Sequence, residues 1–283
     1  MADRPVRPRR SLIFAPGNKP EMLPKAMASG ADIVTVDLED AIAPNHKAVA
    51  RERTLAAFAT LEPDPRVEPI VRVNCLRTPE GMADLLAIVE AKRPPPALML
   101  PKIKSPDEIR VYEEVLGARC EHVRLHVIIE TNEGLEACID IARSSDRIDA
   151  LLFGGVDMAA ELRVEPQWEG LLYARARVVH AAASAGVDVV DVPYLDLGDM
   201  AGMEREARAC AALGFTGKGA IHPKQIETLN RVFSPTPEQI ATARRVVEEF
   251  ERGDTGLVVI DNKLIEKPVL RSMYRILAVA ERL

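Results

Sequence analysis

The sequence has no C-x-x-C pair. Its four cysteines, Cys75, Cys120, Cys138 and Cys210, stand far apart, which fits reduced, mostly buried thiols of an intracellular protein. It has no apolar run long enough to span a bilayer. After the basic start MADRPVRPRR, the stretch SLIFAPG ends at the polar NKPE, too short for the core of a signal peptide. Basic residues are not in surplus: 37 Lys and Arg face 43 Asp and Glu, a net charge of −6, whereas a nucleic-acid surface needs a cationic excess. There is no G-x-S-x-G, no P-loop and no G-x-G-x-x-G, since GKGAIH lacks the third Gly. Serine hydrolase, NTPase and dinucleotide readings lose support. These absences describe a soluble, cytoplasmic protein with no nucleic-acid or membrane partner, and leave an anionic small molecule open.

What is present is a core and an alternation. Apolar residues make up 47% of 283, enough for one large domain or two small ones. Short β-branched runs are predicted as strands over 11–17, 32–39, 68–74, 97–103, 123–131, 149–157, 187–195 and 215–222. Helical patterns lie between them, near 20–29, 46–60, 79–92, 106–118, 133–144, 168–185, 199–213 and 223–231. SPDE at 105–108 is a start signal, with Ser105 as N-cap, Pro106 at N1 and Glu108 at N3. Eight strand–helix units with near-continuous apolar strands predict a (β/α)8 TIM barrel over 9–232, with an open doubly wound sheet as the alternative. Residues 233–283 read as a C-terminal helix-strand-helix extension, suited to covering a barrel mouth or gripping a neighbouring subunit.

The stretch VTVDLEDAIAPNHK (34–47) runs an apolar strand into three carboxylates. In a parallel barrel, polar groups at the carboxyl ends of strands line the active-site face. Here the tips carry Asn18, Asp37 and Glu39, Arg72 and Asn74, Lys102, Glu130 and Asp157. Alternation puts Asp37 with Glu39, and Arg72 with Asn74, on common faces. Oxygen donors without a His or Cys cluster point to a hard cation such as Mg²⁺ (Mn²⁺ is also admissible), and Glu130 and Asp157 are the candidate ligands. The bland alternative has Glu130 capping the fifth helix and Asp157 capping the turn DMAAEL. Arg72 has two readings as well: a salt bridge to Asp37 or Glu39, or a fork for a substrate carboxylate or oxyanion. His122 and His126 share a strand face but lie roughly 13 Å apart, too far for one metal. His222, before Pro223 at a helix start, reads as structural.

In order and spacing, RSLIFAPGNKPEM, DIVTVDLEDAIAPNHKAVAR, VRVN, LPKIKS, IIETNEGL, LLFGGVDMAAEL and GFTGKGAIHPKQI resemble the citrate lyase β-subunit-like family. That family is a branch of the HpcH/HpaI aldolase superfamily that also holds malyl-CoA and citramalyl-CoA lyases. The resemblance covers roughly residues 9–280. It implies a (β/α)8 barrel, Mg²⁺ on Glu130 and Asp157, substrate contact by Arg72, and acids Asp37 and Glu39 beside the metal, holding its waters and orienting Arg72. It also implies homotrimers or hexamers whose C-terminal segments reach over a neighbour's mouth. Two departures stand out. ETARG is ETNEG here, with Asn132 and Glu133 where Ala and Arg are common. In the acyl-CoA lyases a tail pattern GKMID-x-P supplies a catalytic Asp from the adjacent subunit; this chain reads DNKLIEKP, with Glu266 at that position.

The resemblance implies a Mg²⁺-dependent lyase that cleaves or forms a 3-hydroxyacyl-CoA thioester, such as malyl-CoA or citramalyl-CoA, with acetyl-CoA and an α-keto acid as the other side of the reaction. Arg72, Glu266, Asp37 and Glu39 are the catalytic candidates; Arg72, Glu130, Asn74, Lys102 and Lys19 are the substrate-binding ones. Lys19 and Lys25 reach CoA phosphates on this reading and are plain surface charge on the sequence alone. The alternatives are a citrate lyase β subunit acting on a citryl thioester, a malyl-CoA thioesterase, and a non-catalytic CoA-binding subunit.

Overall fold

The computed structural model describes residues 7–252, 257–260 and 263–283. Eight parallel strands close on themselves: β1 Ser11–Pro16, β2 Ile33–Asp37, β3 Glu68–Arg72, β4 Ala97–Leu100, β5 Arg124–Ile129, β6 Ile148–Phe153, β7 Asp188–Asp191 and β8 Gly217–Ala220. Pairing of β1 with β8, Leu12 opposite Gly219, shuts the barrel and rules out the open sheet. Its interior is filled by Leu12, Ile33, Ile70, Met99, Ile128, Leu152 and Val190, with Phe14 packed against them. Helices α1 Leu23–Met27, α2 Lys47–Thr60, α3 Pro79–Glu90, α4 Pro106–Leu116, α5 Asn132–Glu136, α6 Cys138–Arg143, α7 Gly155–Leu162, α8 Trp168–Ala185, α9 Met200–Leu213 and α10 Ile226–Val232 follow the strands in turn.

Every predicted strand runs past the last paired residue at its carboxyl end. The paired strands stop short of those predicted ends, so Glu39, Asn74, Lys102, Glu130 and Asp157 lie beyond the sheet rather than on it. The largest correction is at 149–157: β6 ends at Phe153 and a helix, α7, begins at Gly155. Ser105 occupies the predicted N-cap but its side chain makes no cap hydrogen bond; Glu108 accepts from Lys104 N at 3.1 Å instead. His222 is structural as expected, since its Nδ1 accepts from Lys224 N at 3.1 Å in a capping box with Gln225. All four cysteines are free, three of them buried. Among the described residues, no helix is long and apolar enough to cross a membrane.

Contacts divide the chain into two compact units. One is the barrel, Arg9–Val232; the other contains Phe233–Leu283. Within the second unit, α11 Pro237–Arg252 and α12 Lys267–Ala280 pack together. Between them the single predicted strand is in fact two antiparallel strands, β9 Leu257–Ile260 and β10 Lys263–Glu266. A lone strand leaves its backbone donors and acceptors unpaired, which explains the second one.

The amino end of the barrel is closed by charge. Arg9 Nε meets Glu68 at 2.7 Å, Nη1 meets Asp188 at 2.9 Å and Nη2 meets Asp149 at 3.1 Å. His126 is fully buried with its Nε2 3.3 Å from Glu68. Burial alone would raise the Glu68 carboxyl, but His126 and Arg9 beside it outweigh burial and hold it well below the usual carboxylate range. A folded-state value below the unfolded one gives stability that is complete above the unfolded value of about 4.3 and is lost as pH falls through the acid range. Urea unfolding between pH 7 and 3.5 is therefore expected to show a falling midpoint whose slope is reduced by Glu68→Gln; an unchanged slope refutes the assignment to Glu68.

Candidate active site at the barrel mouth

The β2–β3 register places Asp37 directly opposite Arg72, on neighbouring strands at the mouth. The guanidinium is bound two-handed, Nε to Asp37 Oδ1 and Nη2 to Oδ2, each at 2.7 Å. Backbone N–H groups of Glu39 and Ala41 also donate to Asp37, at 2.9 and 3.1 Å. The salt-bridge reading of Arg72 is thus the one its own neighbours satisfy. Its Nη1 edge remains on the mouth side, 3.2 Å from Glu39 Oε2 and 3.7 Å from Asp40. The Phe14 ring lies beneath, 5.2 Å from the guanidinium carbon. Burial opposes the Arg72 charge, but the Asp37 hydrogen bonds and the acids around it raise its pKa and keep it cationic.

Glu39 accepts from Lys102 Nζ at 2.6 Å, while its Oε2 is buried and accepts no hydrogen bond among the described residues. Burial raises the Glu39 carboxyl against the pull of Arg72 and Lys102. Glu130, just past β5, does not cap the next helix. Thr131 does, accepting from Gly134 N at 3.0 Å. Glu130 instead accepts the backbone N–H of Lys102 on Oε1 at 2.8 Å. Burial, then the charges of Asp157 and Glu39, push its carboxyl up to about 8. Asp157 is half-buried in the first turn of α7, whose N-cap is Gly154, so it is not a cap either. Among the described residues its carboxylate has no hydrogen-bond or ion-pair partner.

The mouth therefore brings together Asp37, Glu39, Asp40, Arg72, Lys102, Glu130 and Asp157. Carboxylates outnumber cations there, and the burial and neighbouring charges that raise Glu130 are what a bound divalent cation would offset. Among the described residues, no three His, Cys, Asp or Glu side chains form a ready cage. Two carboxylates with open positions is the arrangement Mg²⁺ takes when water and substrate complete its shell. The donor set fits Mg²⁺, and Glu130 and Asp157 are the candidate residues that would hold it.

Other candidates sit elsewhere. Asn74 is turned toward the helix layer, where Nδ2 donates to Asp84 at 2.7 Å and Oδ1 accepts from Lys47. The alternation that paired it with Arg72 fails because β3 ends at Arg72. Lys19 is exposed and lines a small apolar pocket with Pro16, Leu23 and Thr54. The Glu266 side chain lies outside the described residues. Asn132 N donates to Glu161 at 3.2 Å, and Glu133 accepts from Lys104 Nζ at 2.8 Å. Lys47, whose ammonium ties the carbonyls of Leu38 and Glu39 at 3.2 and 3.0 Å, was not read from the sequence. It belongs to α2, and no local pattern marks it.

Residues 10–223 match the HpcH/HpaI aldolase/citrate lyase family. The chain belongs to that family. It is 32% identical to the mitochondrial citramalyl-CoA lyase of Homo sapiens over 96% of this chain and 86% of that protein. It is 34% identical to citrate lyase subunit beta of Escherichia coli (strain K12) over 99% and 96% of the two chains. A crystal structure of protein CitE from Mycobacterium tuberculosis in complex with magnesium, acetoacetate and coenzyme A superposes with a TM-score of 0.75 at 28% identity, covering 94% of this chain and 96% of that one. At this mouth Gly154 lies close against Glu130. A Cβ on Gly154 would lie 2.5 Å from both Glu130 Cβ and Oε2. Gly154→Ala is expected to displace Glu130 and weaken Mg²⁺ binding by about tenfold to a hundredfold, the range for disturbed ligand orientation. Isothermal titration with Mg²⁺ checks it, and wild-type affinity would show that Glu130 need not stay where it is.

Proposed function

We propose that this chain is a Mg²⁺-dependent carbon–carbon lyase for a 3-hydroxyacyl-CoA thioester such as malyl-CoA or citramalyl-CoA, yielding acetyl-CoA and an α-keto acid, or joining them in reverse. The observation that carries this reading is the surplus of carboxylate, with Glu130 and Asp157 at its centre, beside a guanidinium already oriented by Asp37. Bound there, the cation would supply Lewis-acid polarisation of the oxygen that becomes the keto acid's carbonyl. Arg72, held by Asp37 and steadied by Glu39, turns its Nη1 edge to the charge that develops on that oxygen or on the thioester enolate. Because Asp37 fixes the guanidinium in advance, little reorganisation is needed as the charge forms. Lys102, whose side chain is 32% exposed, offers a second cation toward a substrate carboxylate. Lys19 is proposed at the rim for the CoA phosphates.

As the 3-hydroxyl gives up its proton and the carbon–carbon bond breaks, an electron pair is left on the carbon α to the thioester carbonyl, which must take up a proton to become the methyl group of acetyl-CoA. Glu266 is proposed as that donor, delivered from a neighbouring subunit of a homotrimer or hexamer by residues 233–283. Glu266→Gln is expected to lower kcat by about 10²- to 10⁴-fold, the range for a lost general acid or base, while Mg²⁺ affinity stays unchanged. Full turnover by the variant would remove Glu266 from the mechanism.

The 34% identity to citrate lyase subunit beta favours citryl thioester cleavage as a second reading. One assay separates the cases: purified protein and Mg²⁺ with malyl-, citramalyl- and citryl-CoA, the products identified by mass. Acetyl-CoA with glyoxylate or pyruvate supports the first reading, and acetyl-CoA with oxaloacetate the second. Free malate with CoA indicates hydrolysis, and no product from any of the three refutes the lyase.

A further inference from the structure

Lys102 follows the end of β4 with φ of 56°, a left-handed backbone that a side chain with a Cβ disfavours. Such conformations persist where the surroundings over-determine them. Here they do so at every polar group of the residue. The N–H donates to Glu130 Oε1 at 2.8 Å, the carbonyl accepts from Arg77 Nη2 at 2.7 Å, and Nζ donates to Glu39 Oε1 at 2.6 Å. The next residues are stapled as well. Ile103 is fully buried with its carbonyl packed on Gly134, where a Cβ would come within 2.4 Å, and Lys104 N donates to Glu108 at 3.1 Å. Arg77 pairs with that same Glu108, so one guanidinium braces both halves of the turn.

The consequence falls on Glu130. With Oε1 occupied by the Lys102 N–H, the carboxylate cannot rotate freely about its last bond. Oε2 lies against Gly154, at the start of the helix that carries Asp157. We infer that Lys102 and Arg77 are positioning residues for Glu130: the left-handed turn at Lys102, braced by Arg77 on its carbonyl, aims a backbone N–H at Oε1 and so presents Oε2 to a cation shared with Asp157. Arg77 lies outside the carboxylate cluster, on the loop that leads into α3, and acts only through the turn. The inference rests on Glu130 being a metal ligand.

The test uses Mn²⁺ alone as probe, with affinity read by electron paramagnetic resonance or titration calorimetry and melting midpoints recorded alongside. Lys102→Gly and Lys102→Ala both remove the ammonium from Glu39, so their difference reports the backbone alone. Glycine takes the left-handed conformation without strain. Lys102→Gly is expected to bind Mn²⁺ about tenfold more tightly than Lys102→Ala. Arg77→Met is expected to lose about fivefold in Mn²⁺ affinity in the wild-type background and less than about twofold when combined with Lys102→Gly, because two groups acting through one element are not additive. Equal affinities of the Gly and Ala variants, or the same loss from Arg77→Met in both backgrounds, would overturn the positioning role. Glu130→Gln is the control that separates the two levels. If it leaves Mn²⁺ binding unchanged, the ligand assignment fails and the inference falls with it. If Glu130→Gln loses binding while the Lys102 variants match each other, the ligand stands and the inference alone fails.

Discussion

Asp157→Ala is expected to abolish turnover and to weaken Mg²⁺ binding by at least about a hundredfold, more than a disturbed supporting residue would cost. The fold should survive. Asp157 is half-buried in the first turn of α7 and, among the described residues, no hydrogen bond or ion pair depends on it. Loss of a carboxylate near a helix N-terminus costs about 0.3–1 kcal/mol, and relief of its repulsion with Glu130 works the other way. A melting midpoint near wild type, with Mg²⁺ binding lost in calorimetry, is therefore the expected pair of results. Asp157→Asn sharpens the test. Its amide keeps the shape and one neutral oxygen, so an intermediate affinity is expected. Wild-type Mg²⁺ affinity in Asp157→Ala would refute the ligand assignment, whatever happened to turnover.

Asp191→Ala is expected to destabilise the barrel by about 3–5 kcal/mol, the cost of leaving buried charge without its partner. Asp191 and Lys218 are opposite one another in the β7–β8 register and both point outward, into the layer formed by α8 and α9. Asp191 receives Lys218 Nζ at 2.5 Å, Arg175 Nε at 3.0 Å and Cys210 Sγ at 3.0 Å. Burial opposes its charge, but Lys218 and Arg175 outweigh burial and hold the carboxyl below the usual range. Lys218 is 0% exposed, so removal of Asp191 leaves it with Glu206 at 2.7 Å and the Val192 carbonyl at 2.7 Å. Arg175 keeps the rings of Phe153 and Trp168, 5.2 and 4.9 Å away, but loses its carboxylate. Denaturant unfolding measures the loss, and a change within about 0.5 kcal/mol, the range of an ordinary surface substitution, would show that the cluster does not hold α8 and α9 to the barrel.

These effects differ in how far the sequence foretold them. The carboxylates and Arg72 were legible because they end apolar runs, and an apolar run is a short-range signal. Glu130 and Asp157 were legible as residues but not as conformations: LLFGGVD reads as one strand, yet the barrel ends its ladder at Phe153 and Gly154 turns the chain into α7. Asn74 was misplaced for the same reason, since alternation holds only while a strand stays paired. Arg77 and Lys47 carried no signal: Arg77 acts on the carbonyl of Lys102 in a separate loop, and Lys47 reaches back to the backbone carbonyls of Leu38 and Glu39, contacts that no side-chain pattern marks.

By itself the sequence determined the eight strand–helix units, the apolar interior, the lack of a net basic excess and of an apolar run long enough for a spanning helix, and the set of polar residues that crown the strands. Those are matters of composition and local period, decided by neighbours a few residues apart. Only the tertiary structure decided which crown residues meet. Closure of β1 on β8, the Asp37–Arg72 register and the left-handed turn at Lys102 depend on pairings between residues tens of positions apart, and backbone direction at a strand end is set by what packs against it.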